Sequence, residues 1–237
     1  MALSQGKSPK KASSSKKSKE GDTTTRYIAI GMVVFVLATA GIFAFMNSQA
    51  SKKLTIPSSV SKADGYAIVV NPTAPVRVDF WEDFQCPNCR NFEAVSNAYF
   101  DDLVKAKKIK AVYHPMSFLG PESVLAAQAA ACTADEGKFV QMHTMLYANQ
   151  PSSENSGAWT NDVLIKLATA AGANKSTVSK CITSGKYVNW AQKVEDDASK
   201  KGVSSTPTVY VNGKELNRAH YLDLAALKKD LAAAGVK

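Results

Sequence analysis

The segment Cys86-Pro87-Asn88-Cys89 constrains this chain more than any other stretch. It follows an apolar run, Val76-Arg77-Val78-Asp79-Phe80-Trp81, that reads as a strand inside a sheet. Behind it Phe92, Val95, Ala98, Tyr99, Leu103 and Val104 recur at helical spacing and predict a helix to about residue 107. Two thiols three positions apart at a helix start can close a small ring that makes and breaks disulfides instead of storing stability. A further strand over 109–113 completes strand, helix, strand, which implies a right-handed crossover and a parallel pair.

The chemistry of the two sulfurs differs by position. Cys86 falls at the N-cap, where unpaired backbone N–H groups and the positive helix end favour a thiolate. Pro87 suits the first helical position, whose N–H has no partner in any case. A thiol so placed drops to a pKa of about 3.5–7.5, making Cys86 the accessible nucleophile and a good leaving group. Cys89, a turn further in, is the resolving thiol. Zinc would need two more ligands, and no second C-x-x-C or Cys/His cluster exists in the sequence. Far downstream, Thr206-Pro207 precedes another apolar strand. A cis X-Pro bond there would leave backbone polar groups free to pair with an extended client. An ordinary trans proline starting an edge strand is the competing reading, and only the company of Cys86 and Cys89 weighs against it.

Together Val78-Asp79-Phe80-Trp81-Glu82-Asp83-Phe84-Gln85-Cys86-Pro87-Asn88-Cys89-Arg90 and the stretch from Ser205-Thr206-Pro207-Thr208 to Gly213 resemble the DsbA-like thiol-disulfide oxidoreductases. The narrower likeness is to their membrane-anchored, extracytoplasmic Gram-positive type. The resemblance implies an α/β thioredoxin fold with an inserted helical subdomain. It implies that Cys86 attacks, Cys89 resolves, and Pro207 is cis beside them with Thr206. It also matches Asp79 to the buried acid that shuttles the proton of Cys89, while Glu82 and Asp83 are expected in an exposed turn. The clients would be unfolded exported proteins with reduced cysteines. A membrane quinone-linked thiol oxidase, of the DsbB or vitamin K epoxide reductase-like kind, would reoxidise the pair, with no metal or organic cofactor. Pro-Asn stands between the cysteines where Pro-His is commoner.

The rest of the chain supplies the setting. Residues 1–26 hold seven cationic and two acidic side chains and no aromatic, which predicts a disordered basic tail. Residues 27–46 are twenty uncharged, mostly apolar residues, enough to span a hydrocarbon core as a transmembrane anchor. Ser48-Gln49-Ala50 would also fit a cleavage site, though a signal peptide's apolar stretch is usually shorter. Cations before the span, against Lys52 and Lys53 after it, keep the N-terminus cytoplasmic and the bulk exported. The tail carries +5 of the +9 net charge, and no basic-aromatic interleaving points to nucleic acid. Residues 47–61 read as a linker, and 62–237 as a thioredoxin domain that is a monomer.

Within that domain a strand is expected at 66–70. Helices are expected at 121–135, 137–148, 159–171 (Thr160 capping), 176–184 and 188–200, an insertion spanning about 120–201. Strand 208–211, the Asn212-Gly213 turn, residues 214–216 and a helix over 221–234 follow. All four cysteines lie on the exported side. Proximity pairs Cys86 with Cys89, which leaves Cys132 with Cys181 as a structural disulfide or as two buried free thiols. His143 amid Met142 and Met145 reads as core packing and not as a copper patch. Asn174-Lys175-Ser176 matches a glycosylation triplet that arises often by chance. Two rivals remain: a reductase or isomerase on the same fold, and a non-catalytic, chaperone-like binding module.

Overall fold

The computed structural model describes residues 54–236. The expected tail and anchor, and residues 47–53 of the linker, lie outside the described residues. Among the described residues no helix is long and apolar enough to cross a membrane.

Six strands form one mixed sheet in the order β1-β2-β4-β3-β5-β6. They are β1 (Val60–Ser61), β2 (Ala67–Val70), β3 (Val76–Asp83), β4 (Ile109–Met116), β5 (Thr208–Val211) and β6 (Lys214–Glu215). Helix α1 (Pro87–Lys105) carries the chain from β3 to β4, which pair in parallel from Val76↔Ile109 to Asp83↔Met116. The other pairings are antiparallel. Five helices intervene before β5: α2 (Pro121–Ala134), α3 (Phe139–Ala148), α4 (Asn161–Ala170), α5 (Lys175–Thr183) and α6 (Val188–Lys200). A 3-10 turn (Arg218–His220) and α7 (Leu224–Ala233) close the chain.

Strand alternation sorts β3 onto two faces. Phe80 faces α1, meeting Phe100 edge to face at 4.8 Å and stacking on Tyr113 at 5.1 Å. Such aromatic pairs add about 1 kcal/mol each beyond area burial. Trp81 faces the other way, stacked on His114 at 4.2 Å and clustered with Met116, Ala198 and Val203. Helix α2 is apolar nearly all round, as a helix surrounded by protein must be. Its run from Ala126 to Ala134 is buried, and it packs against α3, α4, α5 and α6. A disulfide between Cys132 and Cys181 ties α2 to α5.

The caps are local and legible. Thr160 accepts from the N–H of Val163, and Asn174 from those of Ser176 and Thr177. The Asn174 carboxamide is therefore engaged in capping α5. The last helix begins three residues later than expected, for a physical reason. Tyr221 turns its hydroxyl to the sheet to accept from the Val209 N–H at 2.9 Å, and Asp223 caps the helix on Ala225 and Ala226. The end of the expected linker lies on the domain instead of away from it. Val60 and Ser61 pair with Ile68 and Ala67, and the Ser58 N–H donates to Asp135 at 2.9 Å. Strand β4 runs past 113 through Pro115. There β2, which pairs only with 111–113, no longer flanks it, so a missing N–H costs less.

Candidate active site

Strand β3 delivers the chain to the site and is two residues longer than its apolar run. Cys86 then takes an extended conformation as the N-cap of α1, with Pro87 in the first turn. Its N–H donates to Asp83 O at 2.9 Å, and its carbonyl accepts from the Arg90 N–H at 3.1 Å. The helical block holds this corner. Gln150 Nε2 donates to Phe84 O at 2.7 Å and to Cys86 O at 3.0 Å. The Asp83 carboxylate accepts from Ser123 Oγ at 2.7 Å and from the N–H groups of Gln85 (2.9 Å) and Leu119 (3.3 Å).

Cys86 and Cys89 are both thiols here, Cys86 at 7% exposure and Cys89 fully buried. The Thr206–Pro207 bond is cis, and the Cys86 thiol donates to Thr206 O at 3.5 Å. A hydrogen bond from Cys89 is the largest influence on Cys86 and lowers it. Burial opposes that, while the Thr206 side chain and the N–H groups of Cys89 and Asn88 assist, bringing Cys86 down to about 6. Burial drives Cys89 the other way, well above the usual thiol value, with Cys86 and Glu82 adding to the rise. Beside Cys86, Asn88, Asn91, Thr206, Pro207, Arg218 and Leu222 line an open groove of about 220 Å³, with Leu222 63% exposed. A static disulfide would not need one sulfur ionised and its neighbour held protonated. This arrangement can exchange disulfides.

Asp79 is not among these groups. It lies on the sheet face away from α1, between Arg77 (Nε to Oδ2 2.6 Å) and His114 (Nε2 to Oδ1 2.9 Å). Burial, the largest influence on its carboxyl, is outweighed by hydrogen bonds from His114 and Arg77, so the group is held below the usual carboxylate range. Strand alternation is the reason for the displacement: with Phe80 facing the helix, its neighbour Asp79 must face away.

The expectation that Glu82 and Asp83 sit in an exposed turn is corrected by the structure. Both belong to β3 and are buried, at 3% and 0% exposure. Glu82 shares the face of Phe80, toward α1. Burial first, then the nearby Cys86, pushes it up to about 8 against a lowering bond from Glu93, and burial takes Asp83 to about 7. Glu93 of α1 and His143 of α3 are also buried, and ligand-type atoms of Glu82, Glu93 and His143 all lie within 4.8 Å of one another. His143 Nε2 is 3.2 Å from Glu82 Oε2, and its Nδ1 is 3.8 Å from Glu93 Oε2. His143 thus does more than pack the core beside Met142. The signal for Glu82 was its two-residue offset from Phe80. For Glu93 it was a place one turn beyond Cys89 on the stripe of Cys89, Ser96 and Phe100, all buried.

Three comparisons bear on this geometry. A family model described as thioredoxin matches residues 64–229. Na(+)/H(+) antiporter NhaA 3 of Salinispora tropica is 26% identical over 168 residues, 69% of this chain, which spans only 24% of the antiporter's length. Disulfide bond formation protein D of Bacillus subtilis is 27% identical over 173 residues, covering 70% of this chain and 78% of that protein. The crystal structure of oxidised DsbA from Mycobacterium tuberculosis superposes with a TM-score of 0.60 at 32% identity, over 71% of this chain and 93% of that one. The part shared with the antiporters is thus no more than a quarter of them, whereas the likeness to the DsbA structure runs over nearly its whole length. The chain belongs to the thioredoxin family, in its DsbA-like branch of thiol-disulfide oxidoreductases.

Proposed function

We propose that the chain oxidises cysteines in exported proteins, donating a disulfide between Cys86 and Cys89. A client thiolate attacks Cys86 Sγ, a mixed disulfide forms, and the pair's S–S bond breaks with its electrons on Cys89. The departing Cys89 thiolate takes a proton, and Glu82 is the buried acid beside it on the α1 face. A second client thiolate then attacks the client sulfur of the mixed disulfide and releases Cys86 as a thiolate. The client loses two electrons and two protons; one proton ends on Cys89 and the other goes to solvent. Thr206 and Pro207 border the groove in which the client chain lies.

The observation that carries this reading is the opposed pair of thiols, Cys86 lowered to about 6 and Cys89 raised well above its usual value. A stabilised thiolate favours the dithiol form and so makes the disulfide a stronger oxidant. The Cys132–Cys181 disulfide supports an oxidising compartment. Residues 27–46 serve in this proposal as a single-pass anchor, with the N-terminus cytoplasmic and the catalytic domain extracytoplasmic. A membrane quinone-linked thiol oxidase takes the two electrons to regenerate the disulfide. Equilibration of the full-length protein with glutathione tests the direction of electron flow. A potential around −120 to −180 mV is expected, and one near or below about −270 mV would make it a reductase instead. A Cys89→Ala variant should accumulate mixed disulfides with exported proteins in cells, and their absence would remove the client class.

A further inference from the structure

Residues 203–207 lie outside every helix and strand, yet the Thr206 carbonyl meets the Cys86 thiol at 3.5 Å. Backbone bonding does not account for that placement. Among the described residues, no N–H of residues 204–206 donates to a backbone carbonyl. The loop is held instead by a side chain that reaches it from the 3-10 turn after β6. Arg218 Nη1 donates to Ser205 Oγ at 2.7 Å, and its Nη2 donates to Thr208 Oγ1 at 2.6 Å. The Thr208 hydroxyl gives its own hydrogen to Ser205 O at 2.7 Å, so the guanidinium takes its lone pairs. These bonds fasten both residues that flank Thr206-Pro207. The clamp also has a fixed base. Arg218 Nε donates to Glu215 Oε1 at 2.6 Å, and Glu215 pairs with Tyr210 across β5 and β6. A planar fork can reach two hydroxyls and a carboxylate together, which a lysine ammonium on its flexible stem does not.

The same turn also lines the groove beside Cys86. Arg218 and the exposed Leu222 both border it, opposite Thr206 and Pro207 in sequence. The Arg218 side chain is itself about half exposed, and ion pairs in that setting contribute little to stability. What it fixes is the loop. We infer that Arg218 is a positioning residue for client exchange, its guanidinium clamping Ser205 and Thr208 so that Thr206 and Pro207 form a fixed wall for an extended client. It acts through the loop and not on either sulfur. The inference rests on the reading that clients lie in this groove. An unclamped loop would have to be ordered as the client arrives, and that ordering weakens the encounter. Small thiols are a different case. The N–H groups of Cys89 and Asn88 support the Cys86 thiolate from the helix side, without the loop. A thiol with no peptide chain has no use for the wall.

The test compares two reductants of the disulfide form. Oxidised full-length protein in detergent is mixed with an uncharged extended peptide carrying two cysteines, or with dithiothreitol. Reduction is followed by acid quench, thiol alkylation and mass spectrometry. Arg218→Lys and Arg218→Gln should each slow exchange with the peptide about tenfold, mainly through a higher KM, and leave dithiothreitol within about twofold of wild type. Ser205→Ala, which opens one arm of the clamp and keeps the cation, should slow the peptide about threefold, the scale of one lost hydrogen bond. Equal slowing of peptide and dithiothreitol would make Arg218 a support of the fold alone and overturn the inference. Peptide exchange at the wild-type rate in Arg218→Lys would overturn it as well. Slow exchange in Arg218→Lys beside wild-type exchange in Ser205→Ala would assign the effect to charge, again against the clamp. Should the wild-type protein oxidise dithiothreitol but not the peptide, the reading of the groove as the client site fails, and the inference with it.

Discussion

Because only the dithiol form carries the Cys86 thiolate, the relative stability of the two redox forms depends on pH. The thiol titrates at about 6 in the fold against an ordinary value of 9.0. A group whose folded pKa is depressed contributes stability above its unfolded value and loses it as pH falls through the folded one. The dithiol form should therefore gain about 1.4 kcal/mol at pH 7, with almost none left below pH 5, while above pH 9 the raised Cys89 opposes any further gain. For a two-electron couple the pH 7 gain is worth about 30 mV of added oxidising potential. Cys86 is nearly buried, so solvent screening does not erode the figure. Glu82 and Asp83, raised to about 8 and 7, titrate with the opposite sign and lose stability as pH rises. Both acids are present in either redox form but are raised in part by the Cys86 thiolate, so the difference between forms reads the thiol together with that coupling. Urea unfolding of the full-length protein in detergent, in its disulfide and dithiol forms between pH 5 and 8, measures it. The constraint of the four-residue ring enters as a constant offset and drops out of the slope. A difference that stays flat across this range, or shrinks as pH rises, would refute the thiolate.

Other substitutions separate the remaining roles. Glu82→Gln should stabilise the fold by about 3 kcal/mol at pH 7, and by almost nothing at pH 4, because a carboxyl raised to about 8 loses stability as pH climbs from its unfolded value; urea melts at the two pH values check this. Replacing both Cys132 and Cys181 with alanine opens a link across 49 positions, and calorimetry should show a loss of about 4 kcal/mol while iodoacetamide still labels Cys86 at the native rate. Asp79→Asn should cost about 2 kcal/mol by leaving His114 without its carboxylate and Arg77 with only that of Asp64, yet keep Cys89 resolution within about twofold. A tenfold fall in that rate would return Asp79 to the proton path.

What the residues declared in advance was local and patterned. The strand into Cys86, the Pro87 helix start, the Thr160 cap and the Asn212-Gly213 turn each have a short-range physical cause, and each falls where the chain puts it. The parallel β3–β4 pair followed from the order strand, helix, strand. The misses share a different cause. Strand β3 was ended at Trp81 because Glu82 and Asp83 are charged, and charge is ordinarily a sign of solvent. Here the charge is answered by groups distant in sequence: Ser123 and the Leu119 N–H for Asp83, Glu93 and His143 for Glu82. No window along the chain contains that compensation. Ending β3 two residues early also hid which face each acid takes: Glu82 shares the α1 face of Phe80, and Asp79 lies on the other.

The opposed shifts at this site are one electrostatic fact seen from two sides. A pocket that admits little negative charge must choose among Cys86, Glu82, Glu93 and Cys89, and the helix start tips the choice to Cys86. Its thiolate is in turn one of the charges that keep Glu82 protonated. The dithiol state therefore stores the proton next to the sulfur that has just needed one. Forming the disulfide removes the Cys86 charge, relaxes the acids toward ionisation, and releases a proton along whatever path connects them to water. Electron transfer and proton transfer are coupled through a shortage of permitted charge, and that coupling requires the acid to lie on the α1 face of β3. Glu82 has that position, and Asp79, on the far side of the sheet with Arg77 beside it, does not.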